Sequence, residues 1–321
     1  MDVVLLGIPI GIVMLYFGSE WLVKGAKNLA LRLKVAPFVV GLTMVAFGSS
    51  APEMITSVVS TNNPELILGN VIGSNIANIG IAIGLAALLC PMAADYKSMK
   101  MEITTMVIMA FVMLAMVATD TVSFVEGIAL FVILFAFLIL VYLMKKDDQE
   151  AQKSYLAEVE DAQGGFTKSY PFLIALIVIG LALLYFGARF FIDGAVNLAG
   201  LLGVSDLVIG LIVVAIGTSL PEICICLVAA KRGENELAVS NIVGSNIFNI
   251  CAVLGIGGLL TNIPVSESVL FFHIPAMIIL SVVMFLMVRL KNEISRPSAA
   301  ILLGIYAVYL AILFCVPSLA I

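Results

Sequence analysis

Charge is scarce in this chain. Only 12% of its 321 residues are Asp, Glu, Lys or Arg, about half of what a soluble domain of this length carries. Histidine occurs once, as His273, which is too little for an imidazole metal site. The five cysteines, Cys90, Cys224, Cys226, Cys251 and Cys315, form no C-x-x-C pair and mostly sit in apolar runs, so they read as small buried hydrophobes. The formal charge of −5 and the scatter of basic residues among loops exclude a nucleic-acid-binding face. The facing YD and GxGD motifs of an intramembrane aspartyl protease are missing, as are H-E-x-x-H and any nucleophile–histidine arrangement, so the chain is not expected to be an enzyme.

What the chain has in excess is apolar length. Hydrophobic residues make up 62% of it and the mean hydropathy is +1.19. Runs of about 20 apolar residues, enough for a helix to cross a bilayer core of about 30 Å, recur at 3–23, 36–61, 65–90, 101–119, 124–144, 170–191, 205–230, 236–260, 268–288 and 298–316. The expectation is an all-α integral membrane protein of ten transmembrane helices. The longest polar stretch, 145–169, carries mixed charge and Gly164-Gly165 and reads as a solvated linker between two five-span halves, 1–144 and 170–321. Ten spans put fifteen of the sixteen basic residues on one side, leaving only Arg189 on the other. The positive-inside rule makes the crowded side cytoplasmic and both termini extracellular, in a plasma membrane.

The halves are copies. Residues 16–53 lie over 185–222 with 19 of 38 positions identical, and after a two-residue insertion "NVIGSNIANIG" (70–80) matches "NIVGSNIFNIC" (241–251). An odd number of spans per copy turns the second half over, giving inverted repeats, the architecture of secondary transporters with a midplane site. Glu20 and Lys24 of the first copy become Arg189 and Asp193 in the second, each a local i, i+4 ion pair in expectation.

The motif "GSSAPE" (48–53), repeated as "GTSLPE" (217–222), places proline and glutamate within apolar runs. Pro52 and Pro221 are expected to break their helices and free carbonyls near Gly48 and Gly217, which persist at membrane depth only beside protein or a polar cavity. Glu53 and Glu222 each cost about 2.5–3.5 kcal/mol at a helix centre. Brought together they repel, and must share a proton or hold a cation. With hydroxyls from Ser49, Ser50, Thr218 and Ser219 they form an all-oxygen cage, which suits Ca²⁺. Asn70, Ser74 and Asn78 share one helix face, as do Asn241, Ser245 and Asn249. Such a stripe can act as interhelical glue, but its duplication beside the glutamates favours coordination. Gly73 and Gly244 leave room for a close neighbour.

These paired G[ST]S-x-PE and GSN-I-x-NI motifs resemble the cation/calcium exchanger superfamily, in its prokaryotic-type sodium/calcium exchanger branch. The resemblance covers about 16–90 and 185–260, and the ten-span layout extends it to nearly the whole chain. It implies an antiporter exchanging Na⁺ for Ca²⁺ by alternating access, with these ions as substrates and no resident cofactor. It further implies that Glu53 and Glu222 serve both ions and that the carbonyls of Ser49 and Thr218 hold Ca²⁺. The carbonyls of Ala46 and Ala215, with the side chains of Ser50, Ser219, Ser74 and Ser245, would hold flanking Na⁺. Asn78 and Asn249 complete the cluster, and the first and sixth spans slide over the rest. Relatives that use K⁺ carry aspartate at the place of Asn249. The runner-up is an H⁺/Ca²⁺ antiporter or a K⁺-dependent exchanger. A passive channel would not need a duplicated carboxylate site. The partners expected are inorganic cations and the lipid bilayer, with the oligomeric state open.

Overall fold

A computed structural model of the chain describes residues 6–33, 35, 37–145, 169–201, 217–316 and 319. Most of the expected linker and the segment 202–216, which includes Ala215, lie outside these residues. At membrane depth each backbone N–H and C=O must find its partner within the segment, and the apolar runs accordingly form helices. They are α1 (Gly7–Leu33), α2 (Pro37–Val40, continuing through Gly41–Val45 and Ala46–Ser49), α3 (Ala51–Val59), α4 (Glu65–Leu89), α5 (Tyr96–Val117), α6 (Phe124–Lys145), α7 (Tyr170–Leu201), α8 (Leu220–Lys231), α9 (Asn235–Leu260), α10 (Val269–Lys291) and α11 (Arg296–Cys315).

Seven of these are long and apolar enough to span a bilayer alone: α4, α5, α6, α7, α9, α10 and α11. Gly41–Ser49 and Ala51–Asn62, bent by 42°, make an eighth together. Of the ten spans expected, the other two fall on α1 and on 205–230, which is described only from Gly217. The expected edges at 23 and 191 are short by about ten residues, since α1 runs to Leu33 and α7 to Leu201. Hydropathy falls there, but alanine, leucine, lysine and arginine still favour helix.

Two helices form the centre. Of their apolar windows, 78% of α4 and 89% of α9 are buried, against 28–39% in the other five. Each centre helix is covered partly by the opposite half: α6 packs along the end of α9, and α11 along the end of α4. Gly127 touches the backbone of Gly255 and Gly258 at the first contact, and Gly80 and Gly84 receive Tyr306 and Leu303 at the second. The loops cross over too, through two-residue antiparallel pairs. Strand β1 (Met92–Ala93) pairs with β4 (Glu293–Ile294), and β2 (Thr121–Val122) with β3 (Ile263–Pro264). The outer faces carry exposed large apolar residues such as Val125, Val132, Phe135, Ile139 and Val178, as a lipid-facing surface requires.

Helices α1 and α7 run antiparallel and pack more extensively on each other than on the rest. A Cβ at Gly18 would meet the Gly180 carbonyl at 2.9 Å, and one at Gly180 would meet the Gly18 carbonyl at 2.9 Å. Gly11 and Gly187 approach in the same way. The far end of α1 is held by charge: Lys27 binds Glu234 at 2.6 Å, and Arg232 binds Glu20. Glu20 therefore pairs across the fold rather than with Lys24, because the α8–α9 turn brings a guanidinium to it.

The glycine contacts give a stability test. Gly180→Leu lowers the stability of the detergent-solubilised protein by about 1–3 kcal/mol, because its Cβ meets backbone that cannot yield. Gly304→Ala, where nothing lies within 4 Å, stays within about 0.5 kcal/mol of wild type. Equal thermal unfolding of the two variants would remove close approach as the reason for the α1–α7 glycines.

Candidate cation-binding site

The first Pro-Glu motif sits where one helix ends and the next begins, and the second opens α8. The breaks are at Ser50 (φ −81°, ψ 5°) and Ser219 (φ −85°, ψ 1°), and Pro52 and Pro221 lie in the first turns of α3 and α8. The expected break is therefore present in each motif, with the proline lying just beyond it. In a first turn the missing N–H is not needed, so the chain makes a junction rather than a strained bend. At the first break Ser50 N donates to the Ala46 carbonyl at 3.0 Å, and Ser49 Oγ donates to the same oxygen at 3.3 Å. Glu53 and Glu222 fall in the first turns that follow, where the positive ends of the helix dipoles favour an anion.

Both glutamates are fully buried, as are Ser49, Ser50, Ser74, Asn78, Ser219, Ser245 and Asn249. Most of the contacts run crosswise between the halves. Ser50 Oγ and Ser245 Oγ each lie 3.5 Å from Glu222 Oε1. Ser49 Oγ is 3.4 Å from Ser245 Oγ and 3.5 Å from Asn241 Oδ1. In the mirrored position, Ser74 Oγ shares a 3.0 Å hydrogen bond with Thr218 Oγ1. Asn70 Nδ2 donates to the Glu53 carbonyl at 3.4 Å. Of the expected site residues, Ala215 alone lies outside the described residues. The rest converge on this region, with Gly48 in the last turn before the Ser50 break and Gly217 two residues before Ser219.

Two residues that sequence reasoning passed over organise the cluster. Asn75 and Asn246 stand between the two stripes. Asn78 Nδ2 donates to Asn246 Oδ1 at 3.0 Å, and Asn249 Nδ2 donates to Asn75 Oδ1 at 3.1 Å. The amides of Asn75 and Asn246 in turn donate to each other's backbone carbonyls at 3.3 and 3.5 Å, with Met277 and Met106 sulfurs at 3.6 and 3.7 Å. This lattice ties down the amide nitrogens of Asn78 and Asn249. Their oxygens, Oδ1 in each, are left without a hydrogen-bond partner among the described residues. The signal was available, because "GSN" occurs in both copies. The helix widens to a π turn just here, at Asn78–Ile83 and at Asn249–Val253, a distortion frequent at functional sites.

Both oxygens of Glu53, Glu222 Oε2, Asn70 Oδ1 and Ser219 Oγ are buried without partners too. Among the described residues no basic side chain pairs with either glutamate, and no group of three His, Cys, Asp or Glu gathers anywhere. The site is thus two carboxylates set among neutral oxygens, a donor set suited to a hard cation. Two cavities, of about 380 and 140 Å³, lie between α7 and the junctions; Pro52, Tyr185 and Pro221 line both, and Arg189 and Thr218 line the smaller.

Asn75→Leu tests the lattice. It strands the Asn249 amide, so stability falls by about 1–3 kcal/mol, and Asn246→Leu falls by a similar amount. Thermal unfolding indistinguishable from wild type in both variants would show that the lattice bears no load.

The comparisons with known proteins agree in one direction. The family profile described as "Sodium/calcium exchanger protein" matches residues 3–143 and 172–315. The chain is 34% identical over 304 residues to the uncharacterized membrane protein MJ0091 of Methanocaldococcus jannaschii, covering 94% of this chain and 95% of that protein. It is 32% identical to the sodium/calcium exchanger MaX1 of Methanosarcina acetivorans, covering 95% and 97%. A solved structure of the sodium-calcium exchanger NCX_Mj, soaked with Na⁺ and Ca²⁺, superposes with a TM-score of 0.80 at 31% identity, covering 97% of this chain and 98% of that one.

Proposed function

This chain belongs to the sodium/calcium exchanger family, and we propose that it is a secondary active antiporter that moves Ca²⁺ against Na⁺ through the Glu53–Glu222 site by alternating access. The observation that carries this reading is the pair of buried carboxylates, facing neutral oxygens and no basic side chain among the described residues. Two negative charges at membrane depth call for positive charge from outside the protein, and Ca²⁺ or Na⁺ supplies it. Glu53 and Glu222 serve both ions. The Ser49 and Thr218 carbonyls complete the Ca²⁺ position. Ser50, Ser74, Ser219 and Ser245, with the carbonyls of Ala46 and Ala215, serve flanking Na⁺, and Asn78 and Asn249 present their oxygens to the cluster. The protein has no resident cofactor in this reading, and its ions are substrates.

The architecture proposed with it is ten spans, made of two inverted five-helix repeats over 1–144 and 170–321, in the plasma membrane with both termini outside. The antiparallel α1–α7 pair is the moving element, riding on the remaining helices. The cavities on the α7 side reach the junctions beside Arg189, the one basic residue assigned to the extracellular face. The Lys27–Glu234 and Glu20–Arg232 pairs hold α1 at the opposite face. This combination supports a site approached from outside and closed toward the cytoplasm.

The experiment is ⁴⁵Ca uptake into vesicles with and without an outward Na⁺ gradient. Wild type takes up Ca²⁺ only with the gradient, and uptake driven equally by a pH gradient in Na⁺-free buffer would move the assignment to proton coupling. Glu53→Gln and Glu222→Gln each abolish gradient-driven uptake while the protein stays folded in the membrane, and near-normal exchange in either would sink the site.

Asn249→Asp adds a third carboxyl group to the cluster. Exchange by that variant becomes sensitive to K⁺ or to pH, because the extra group must take up a cation or a proton, whereas wild type needs no K⁺. A variant matching wild type in both respects would place Asn249 away from the transported ions.

A further inference from the structure

A third cavity shares no lining residue with the two beside the junctions. It is a groove of about 620 Å³ between α1 and α8, floored by Leu15, Leu220, Cys224 and Leu227, with Tyr16 on its rim and Lys231 at one end. Its walls are almost wholly apolar, and several, including Ile12, Tyr16 and Leu89, are exposed on the outer surface of the helices. From Leu220 to Lys231 the helix advances about 16 Å, close to the half of a hydrocarbon core of about 30 Å that one leaflet provides. The groove thus runs from bilayer mid-depth to headgroup level and meets a single cation there. Lys231 is exposed and no acid pairs with it among the described residues, whereas its neighbour Arg232 is engaged by Glu20. The end that carries Lys231 is the face on which fifteen of the sixteen basic residues fall. The equivalent turn of the first copy, Ser60–Asn63, holds no charge.

We propose that this groove is a binding site for one anionic phospholipid, an acyl chain lying along α8 and the phosphate against Lys231. A groove open to the membrane at this depth is covered by lipid, and the lone ammonium at its mouth selects a headgroup of net negative charge over a zwitterionic one. The occupant touches α8, whose first turn carries Glu222, and α1 across the seam. It therefore bears on the exchange proposed above, although its binding stands independently of that reading.

The test is native mass spectrometry of the purified full-length protein with equimolar dioleoylphosphatidylglycerol and dioleoylphosphatidylcholine. Wild type retains one phosphatidylglycerol in preference, and Lys231→Gln lowers that preference about fivefold, as one lost lysine contact implies. Leu227→Trp, which fills the groove, lowers retention of both lipids, and Lys97→Gln, an exposed lysine outside the groove, changes neither. Equal retention of the two lipids by wild type overturns the proposal. So does an equal loss of preference in Lys97→Gln, which would mean general surface charge, or an unchanged preference in Lys231→Gln. Because lipid is weighed directly, a failure of Na⁺/Ca²⁺ exchange in vesicles leaves this result standing.

Discussion

Two carboxylates held at membrane depth with no basic partner among the described residues govern the design of this protein. Each is costly on its own, by about 2.5–3.5 kcal/mol at a helix centre, and their proximity adds repulsion. The surrounding structure mitigates both terms without cancelling them. Helix junctions at Ser50 and Ser219 put each carboxylate in a first turn, toward positive dipole ends. Ser50 and Ser245 turn hydroxyls toward Glu222, while an amide lattice one layer deeper leaves oxygen rather than nitrogen unengaged at Asn78 and Asn249. Even the glycines answer to this geometry, for a Cβ at Gly244 would lie 2.6 Å from the Leu42 carbonyl, and α9 could not then come up against α2.

The attachment of α1 and α7 follows a different logic. Between them the contact is steric, a row of glycines with backbone against backbone. Between α1 and the rest it is partly electrostatic, through Glu20–Arg232 and Lys27–Glu234 at one end only. Half-exposed pairs of this kind contribute about 0–1 kcal/mol each, enough to weight one arrangement over another without locking it. The glycine rows hold the two long helices together as a unit, and weak clasps fasten that unit to the core at one end.

Much of the site was legible in the sequence because membrane chains advertise their exceptions. Proline, glutamate and asparagine within apolar runs stand out, and duplication showed that Glu53 and Glu222, or Asn78 and Asn249, answer one another. What the sequence could not show was how one motif meets the other. The bond from Asn78 to Asn246 joins residues 168 apart, and no local pattern distinguishes it from coordination. The prolines signalled the breaks now seen at Ser50 and Ser219, but not that a new helix starts directly behind each. Glu20 was matched with its near neighbour Lys24, while the fold offered it Arg232. His273 was given no role, and it is used to fasten the chain's end: Nδ1 shares a 2.8 Å hydrogen bond with the Tyr309 hydroxyl, and Nε2 donates to the Leu319 carbonyl at 2.6 Å. Cys226 and Cys251 are buried as expected, but Cys315 is exposed at the end of α11, where lipid can replace a protein core as its apolar surroundings.

The asparagine lattice also speaks to ancestry. Asn78 reaches Asn246 and Asn249 reaches Asn75, while Met277 and Met106 back the two amides in turn, so every contact has its reverse. That reciprocity is how two identical subunits meet about a two-fold axis, where residue i touches j and j touches i. The core of this chain has the form of a homodimer interface with its partners fused into one polypeptide. Fusion lifts the rule that both sides must carry the same residue. Glu20 could become Arg189 and a neutral turn could become Arg232–Glu234, each mutation tried once rather than twice. A pair of equal subunits cannot tell the two faces of a membrane apart by their own sequence, and a fused pair can.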